Sequence, residues 1–126
     1  MEYLFKTKYT VIGAGIIGLA IGKTLAEKIS KNDDLVVVEQ ENTFGQGISS
    51  RNSEVIHSGI YYPNNSLKHL LCLKGREQIY AYCQLKKIPY RKCGKLIVAT
   101  DGSEVPELER IYQQALKNKV PIKRLT

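Results

Sequence analysis

The chain has 126 residues, of which 43% are hydrophobic and 25% are charged, and its formal net charge is +7 at pH 7. No stretch approaches the roughly 20 apolar residues of a membrane-spanning helix, so we expect a soluble intracellular protein. The excess of basic residues lies in residues 63–126, where lysines are spread out with no arginine-rich run, and this pattern excludes a nucleic-acid-binding segment.

A glycine-rich turn lies near the start of the chain. Gly13, Gly15 and Gly18 form a G-x-G-x-x-G pattern between a β-rich stretch, Tyr9–Ile12, and an apolar helical pattern over residues 16–29. The three glycines would permit a tight turn, close approach of a pyrophosphate and close packing of the helix on the strand. The N-terminus of that helix would present unpaired N–H groups to the phosphates.

A second apolar run follows the turn at residues 32–34. The run Leu35–Val38 is typical of a parallel strand that is buried on both faces. Glu39, 21 positions after Gly18, ends this run where an acidic side chain would accept hydrogen bonds from ribose hydroxyls. A carboxylate there disfavours a 2′-phosphate. The pattern therefore predicts a βαβ unit that binds FAD or NAD rather than NADP.

A polar segment, residues 49–53, leads to the pattern His57-x-Gly59 and then to two tyrosines. Its hydroxyl, amide and guanidinium groups could line the phosphates and ribitol of an extended cofactor. Taken alone, such a segment would more often be a solvated loop.

The remaining elements are predicted in chain order. Residues 63–66 form a turn and helix cap, residues 67–85 a long helix, residues 95–100 a strand, and residues 106–118 a second helix. We expect the apolar positions to pack in the core. They are Leu67, Leu70, Leu71, Ile79, Cys83 and Leu85 on the first helix, and Leu108, Ile111, Tyr112, Ala115 and Leu116 on the second.

Three cysteines, Cys72, Cys83 and Cys93, lack a C-x-x-C spacing. We expect reduced, mostly buried thiols and no metal site. His69 has no partner pattern, which favours a structural role.

The runs at residues 52–62, 90–99 and 118–121, together with the glycine turn, carry a family resemblance. The sequence resembles the flavoprotein superfamily of D-amino-acid oxidase and FAD-dependent glycerol-3-phosphate dehydrogenase. Within that superfamily it is most similar to the L-2-hydroxyglutarate dehydrogenases and oxidases. Members of this family are several times longer, so the sequence resembles an amino-terminal portion and the chain alone is expected to be inactive.

The resemblance implies an α/β fold. It would consist of a Rossmann-like FAD-binding βαβ unit with its flavin-contacting segment, residues 1–62, and the incomplete start of an inserted substrate domain, residues 63–126. It implies FAD as the cofactor, and oxidation of L-2-hydroxyglutarate to 2-oxoglutarate by hydride transfer from C2 to flavin N5. A base would remove the hydroxyl proton.

The resemblance also assigns roles to individual residues. His57 is the candidate catalytic residue, and Tyr61 and Tyr62 are the candidates for bordering the substrate. The residues expected to contact FAD are Gly13, Gly15, Ile16, Ile17, Gly18, Glu39, Gln40, Ser50, Arg51, Asn52, Ser53, His57 and Gly59.

Three alternatives stay open. The complete enzyme could act on another small acid, an amino acid or glycerol 3-phosphate; the chain could be a non-enzymatic remnant with residual dinucleotide binding; or it could be an NAD-dependent protein. The expected partners are a small 2-hydroxy acid and a remainder of the enzyme encoded downstream. The expected location is cytoplasmic, with peripheral association at the inner face of the membrane as a variant.

Overall fold

The computed structural model describes residues 6–125, so the predicted domain limits at residues 1 and 126 lie outside the described residues. The chain divides into two compact units, the first ending at Val55 and the second beginning at Ile56. Residues 56–62, which we assigned with the cofactor-binding part, belong to the second unit. The predicted domain division after residue 62 stays a prediction for the longer enzyme.

The first unit is a strand–helix–strand arrangement. Strand β1 (Tyr9–Ile12) is followed by helix α1 (Ile16–Ala26) and strand β2 (Leu35–Val38). The two strands are parallel, with Tyr9 opposite Leu35 and Ile12 opposite Val38. This confirms the predicted α/β class and βαβ unit. Helix α1 ends three residues earlier than predicted. The Lys28 N–H donates to the Leu25 carbonyl, three residues back, so the chain forms a 3₁₀-type turn there instead of continuing the α-helix.

The predicted burial of β2 on both faces is wrong for this chain. Val37 and Val38 are 37% and 38% exposed, whereas Val11 on β1 is buried. Within residues 6–125 the sheet has two strands, so each is an edge strand, and α1 packs on one face. The contact between β2 and α1 is close, since a Cβ placed on the buried Gly22 would lie only 3.2 Å from Val37 Cγ2. The absence of a side chain at residue 22 permits this approach.

The apolar stripe predicted on α1 is also largely exposed. Ile17 is 73% exposed and Ile21 is 48% exposed, and Gly22 is the buried residue of the helix. Small residues face the two strands, which leaves the larger apolar side chains outside the contact.

The second unit contains two helices. Helix α2 (Leu67–Lys86) begins after Ser66, whose side chain accepts a hydrogen bond from the His69 N–H at 3.2 Å. This confirms the predicted cap. Helix α3 (Val105–Lys117) follows a 3₁₀ turn at Gly102–Glu104 and carries Pro106 in its first turn. A main-chain N–H at that position would have no acceptor within the helix, so proline, which lacks the N–H, is tolerated there.

Two predictions for the second unit are wrong. The strand predicted over residues 95–100 does not form, although the structure describes all of these residues. No neighbouring strand is present there to complete a ladder. Thr100 instead donates its main-chain N–H and its hydroxyl to the Glu104 carboxylate, at 2.7 and 2.9 Å.

The predicted core face of α2 is also wrong except at Cys83, which is buried. The other five predicted positions are exposed: Leu67, Leu70, Leu71, Ile79 and Leu85. The buried residues of that helix are His69 and Cys83. The stripe on α3 is confirmed in part: Ala115 is buried, Leu116 is exposed, and the other three predicted positions, Leu108, Ile111 and Tyr112, are half-buried. The apolar surface of α2 is thus larger than the neighbouring segments of this unit can cover. Over residues 6–125, no helix has the length and apolarity needed to cross a membrane.

Candidate dinucleotide-binding site

The glycine turn joins β1 to α1 by a close approach of main chain to main chain. Gly13 has a φ of +95°, a conformation that favours glycine. A Cβ on Gly18 would lie 1.9 Å from the Gly13 carbonyl oxygen, nearer than any real side chain comes. The first turn of α1 therefore lies against the turn only because residue 18 has no side chain.

The N-terminus of α1 presents main-chain N–H groups as hydrogen-bond donors. Gly15 is the extended N-cap residue, and the first turn contains no acidic side chain. The Leu19 N–H donates to the Gly15 carbonyl at 2.9 Å, so the amides of Ile16, Ile17 and Gly18 precede the first intrahelical bond. Such amides, at the positive end of a helix dipole, suit a phosphate group.

Glu39 follows β2 and directs its carboxylate to the glycine turn. Its Oε2 atom accepts a hydrogen bond from the Ala14 N–H at 2.7 Å. Its Oε1 atom accepts from the N–H groups of Gln40 and Glu41, at 2.8 and 3.2 Å. The Ala14 N–H contributes most, followed by that of Glu41, to holding the pKa of this carboxyl below its usual value. Glu39 is therefore an anionic acceptor at neutral pH.

The polar segment after β2 returns to the same turn. The Gly45 N–H donates to the Ala14 carbonyl at 2.9 Å, and the Ser49 hydroxyl oxygen accepts from the Ile16 N–H at 2.9 Å. Asn52 stabilises this loop by donating its side-chain amide to the Ser49 carbonyl at 2.9 Å. The segment that the sequence picked out for its hydroxyl and amide groups thus lies beside the N-terminus of α1.

The other predicted cofactor residues of the first unit have local partners or exposed side chains. The Ser50 hydroxyl donates to the Gly47 carbonyl at 2.9 Å within a 3₁₀ turn, Gly47–Ser50. Gln40, Arg51 and Ser53 have exposed side chains. Their roles at a cofactor stay predictions.

The remaining predicted site residues lie in the second unit. His57 and Tyr61 are exposed, Tyr62 is half-buried, and Gly59 is buried with a φ of +85°. A Cβ on Gly59 would lie 3.5 Å from His69 Cδ2. The roles of these residues at the flavin and the substrate also stay predictions.

The cysteines and His69 do not form a metal site. Within residues 6–125, no cluster of three or more His, Cys, Asp and Glu side chains is close enough to hold a metal ion. All three thiols are free, with Cys83 buried and Cys72 half-buried, but Cys93 is exposed and the prediction of mostly buried thiols is wrong there. The predicted structural role of His69 is confirmed, because its ring is buried and hydrogen-bonded.

Residues 8–126 match the family model described as FAD dependent oxidoreductase. The chain belongs to this family. Among its relatives is the mitochondrial L-2-hydroxyglutarate dehydrogenase of Arabidopsis thaliana, 46% identical over 110 residues, which are 87% of this chain and 22% of that protein. The mouse (Mus musculus) protein of the same name is 48% identical over 114 residues, 90% of this chain and 24% of the relative. The human (Homo sapiens) protein is 44% identical over 115 residues, which are 91% of this chain and 25% of that protein.

The chain spans about a quarter of the length of these curated relatives. The alignments cover nearly all of this chain, so they agree with the predicted membership of the L-2-hydroxyglutarate dehydrogenase group.

Two contacts in this family member's glycine turn were not predicted. Ser49, rather than Ser50, meets the first amide of α1, and Gly45 binds the carbonyl of Ala14. Two adjacent serines look alike in sequence, and only the path of the 3₁₀ turn decides which hydroxyl faces the helix. Gly45 has a φ of +73°. A glycine between β2 and a polar segment can indicate such a turn in the sequence, because glycine adopts positive φ without strain.

Proposed function

We propose that this chain supplies the ADP-binding portion of a flavoenzyme that oxidises L-2-hydroxyglutarate to 2-oxoglutarate. The observation that carries the proposal is the anionic carboxylate of Glu39 held 2.7 Å from the Ala14 N–H of a glycine turn that tolerates no side chain at residue 18. The relatives that match about nine tenths of this chain are named L-2-hydroxyglutarate dehydrogenase.

The residues present fit the ADP part of FAD. The amides of Ile17 and Gly18 would bind the pyrophosphate, joined by the Ile16 amide where a phosphate oxygen replaces its present acceptor, the Ser49 hydroxyl. The Glu39 carboxylate has about four lone pairs for hydrogen bonds, and three main-chain donors use three of them. The remaining acceptor capacity suits a ribose hydroxyl, and the negative charge opposes a 2′-phosphate.

When bound, FAD supplies the two-electron acceptor that turns the secondary alcohol at C2 of the substrate into a ketone. The substrate hydroxyl must also lose a proton. We assign this proton to His57, whose exposed ring is open to a ligand.

The charges around the two tyrosines support an anionic substrate. The ammonium group of Lys95 lies 5.1 Å from the centre of the Tyr61 ring, and that of Lys68 lies 4.6 Å from the centre of the Tyr62 ring. Ammonium groups held beside aromatic rings can also attract a carboxylate. A diacid such as 2-hydroxyglutarate fits this setting better than a zwitterionic amino acid.

The remainder of the enzyme, in the same polypeptide or encoded downstream, is the partner we propose for the first unit. It would cover the apolar face that Ile16, Ile17 and Ile21 expose on α1. The cytoplasmic location and the peripheral membrane association stay predictions, and the relatives compared above carry the word mitochondrial in their names.

The test is the visible spectrum of the purified chain after incubation with FAD and removal of free flavin, alone and mixed with the remaining portion. We expect a retained flavin band that L-2-hydroxyglutarate bleaches when the remaining portion is present. The D enantiomer is the control and should leave the band unchanged. A chain that retains no flavin in either preparation, or that prefers NAD, contradicts the proposal.

A further inference from the structure

One side chain in the second unit is completely buried and entirely polar. Asn118, which ends α3, is 0% exposed and is the largest fully buried side chain. Burying an amide costs free energy unless its donors and acceptors find partners. Its partners therefore show what the residue holds in place.

The amide nitrogen of Asn118 binds the segment that follows His57. Its Nδ2 donates to the carbonyls of Gly59 and Tyr62, at 2.9 and 2.8 Å, with the Ile60 carbonyl at 3.5 Å. Main-chain carbonyls only accept hydrogen bonds, so the NH₂ group must face them and the orientation of the amide is fixed. One side chain thus holds both ends of the Gly59–Tyr62 turn.

The amide oxygen of Asn118 is held from the opposite side. Its Oδ1 accepts from Asn64 Nδ2 and from Gln114 Nε2, each at 3.1 Å. Gln114 also donates to the Tyr62 carbonyl at 3.1 Å. The amide is satisfied on both its donor and acceptor atoms, as a buried polar network must be if it is to fix a single conformation.

His69 on α2 completes the arrangement. Its Nε2 lies 3.1 Å from the Asn118 main-chain carbonyl, and its Nδ1 lies 3.2 Å from the Asn65 N–H. The carbonyl can only accept and the main-chain N–H can only donate, so in this pair of hydrogen bonds Nε2 is the donor and Nδ1 the acceptor. The same ring packs against Gly59, whose positive φ turns the chain at that point.

We propose that Asn118 and His69 are positioning residues that set the conformation of segment 57–62. This inference rests on the proposed function, which puts that segment at the flavin and the substrate. The carbonyls of Gly59 and Tyr62 turn inward to Asn118, while His57 and Tyr61 remain exposed for a ligand. Neither Asn118 nor His69 touches the reacting groups, and both act through the turn that they hold.

The first test measures amide hydrogen exchange of the full chain in Asn118→Leu. This substitution keeps the branching of the side chain at Cγ, with a larger volume, and removes the donor to the turn. We expect exchange in segment 57–62 to rise at least roughly tenfold while the middle of α2 keeps its protection. The matched control is Asn64→Ala, which removes one partner of Oδ1 and leaves every bond to the turn, so segment 57–62 should exchange within about twofold of the wild type.

The second test distinguishes loss of one hydrogen bond from unfolding of the whole second unit. His69→Gln retains a donor for the Asn118 carbonyl, whereas His69→Leu does not. The glutamine variant should restore most of the protection of segment 57–62 that the leucine variant loses. Equal exchange of this segment in wild type, Asn118→Leu and His69→Leu overturns the proposal.

The third test connects the turn to ligand binding through the ratio of FAD affinity to ADP affinity. We expect Asn118→Leu to leave ADP affinity unchanged and to lower the preference for FAD at least roughly tenfold. A wild-type chain that binds neither ligand refutes the proposed function. An unchanged FAD preference in Asn118→Leu, with the wild type binding FAD more tightly than ADP, refutes the positioning role alone.

Discussion

Replacing Gly18 by alanine tests the close approach of α1 to the glycine turn. The new Cβ would lie 1.9 Å from the Gly13 carbonyl oxygen, and real Cβ contacts stay beyond 3.0 Å, so helix and turn must separate by about 1.1 Å. Both atoms belong to tightly constrained main chain. Overpacking costs roughly 1–3 kcal/mol, and we expect the upper end here. Alanine regains about 1 kcal/mol of helix propensity, which leaves a net loss of roughly 2 kcal/mol.

Gly75→Ala is the matched control, because Gly75 lies within α2 and a Cβ there would meet nothing within 4 Å. We expect this variant to gain roughly 0.5–1 kcal/mol. Urea denaturation followed by hydrogen exchange and mass spectrometry reports each unit separately. Gly18→Ala should also weaken ADP binding at least roughly tenfold, and Gly75→Ala should not change it. The reasoning is refuted if both alanine variants are stabilised alike and bind ADP as the wild type does.

Three further predictions concern single side chains. The pKa of Glu39 is lowered in the folded chain, so the stabilising effect of its carboxylate is complete above the ordinary value of 4.5. This effect is lost as the pH falls through the lower folded-state pKa. The difference in stability between wild type and Glu39→Gln should therefore shrink on acidification. A difference in urea midpoint that does not vary with pH would contradict this. Ser66→Ala removes the cap that accepts the His69 N–H and should destabilise the second unit by about 1 kcal/mol, measured by urea denaturation; an unchanged midpoint would show that the cap is dispensable. Iodoacetamide should alkylate the exposed Cys93 in the native chain well before the buried Cys83, as peptide mass spectrometry would show, and equal rates would contradict the assigned burial.

The first unit could be predicted closely from the sequence because its signals are local. Glycines at fixed offsets leave few ways to turn from strand to helix, and a β-branched run ending in an acid marks the next strand. The position of Glu39 followed from this register alone. What the sequence did not predict is the extent of burial, since β2 and the apolar side chains of α1 lack covering elements within the described residues.

The second unit was predicted less well because its order depends on contacts that are distant in sequence. Helix limits followed from Ser66 and Pro106, but residues 95–100 had a strand composition and no partner strand to pair with. The role of Asn118 was not predicted, because the side-chain and main-chain groups of Asn64, Gly59 and Tyr62 that it binds lie 54 or more positions away in sequence. An asparagine after a helix looks like an ordinary cap until the fold brings those carbonyls to it.

The proposed function requires the glycine turn and Glu39 to bind an ADP moiety. An amide-resolved NMR titration of the chain with ADP shows whether they do. We predict that the largest shifts fall on Ala14, Ile16, Ile17 and Gly18, whose N–H groups line the turn and the start of α1. If ADP leaves these four amides unmoved at saturating concentration, the proposed function is contradicted.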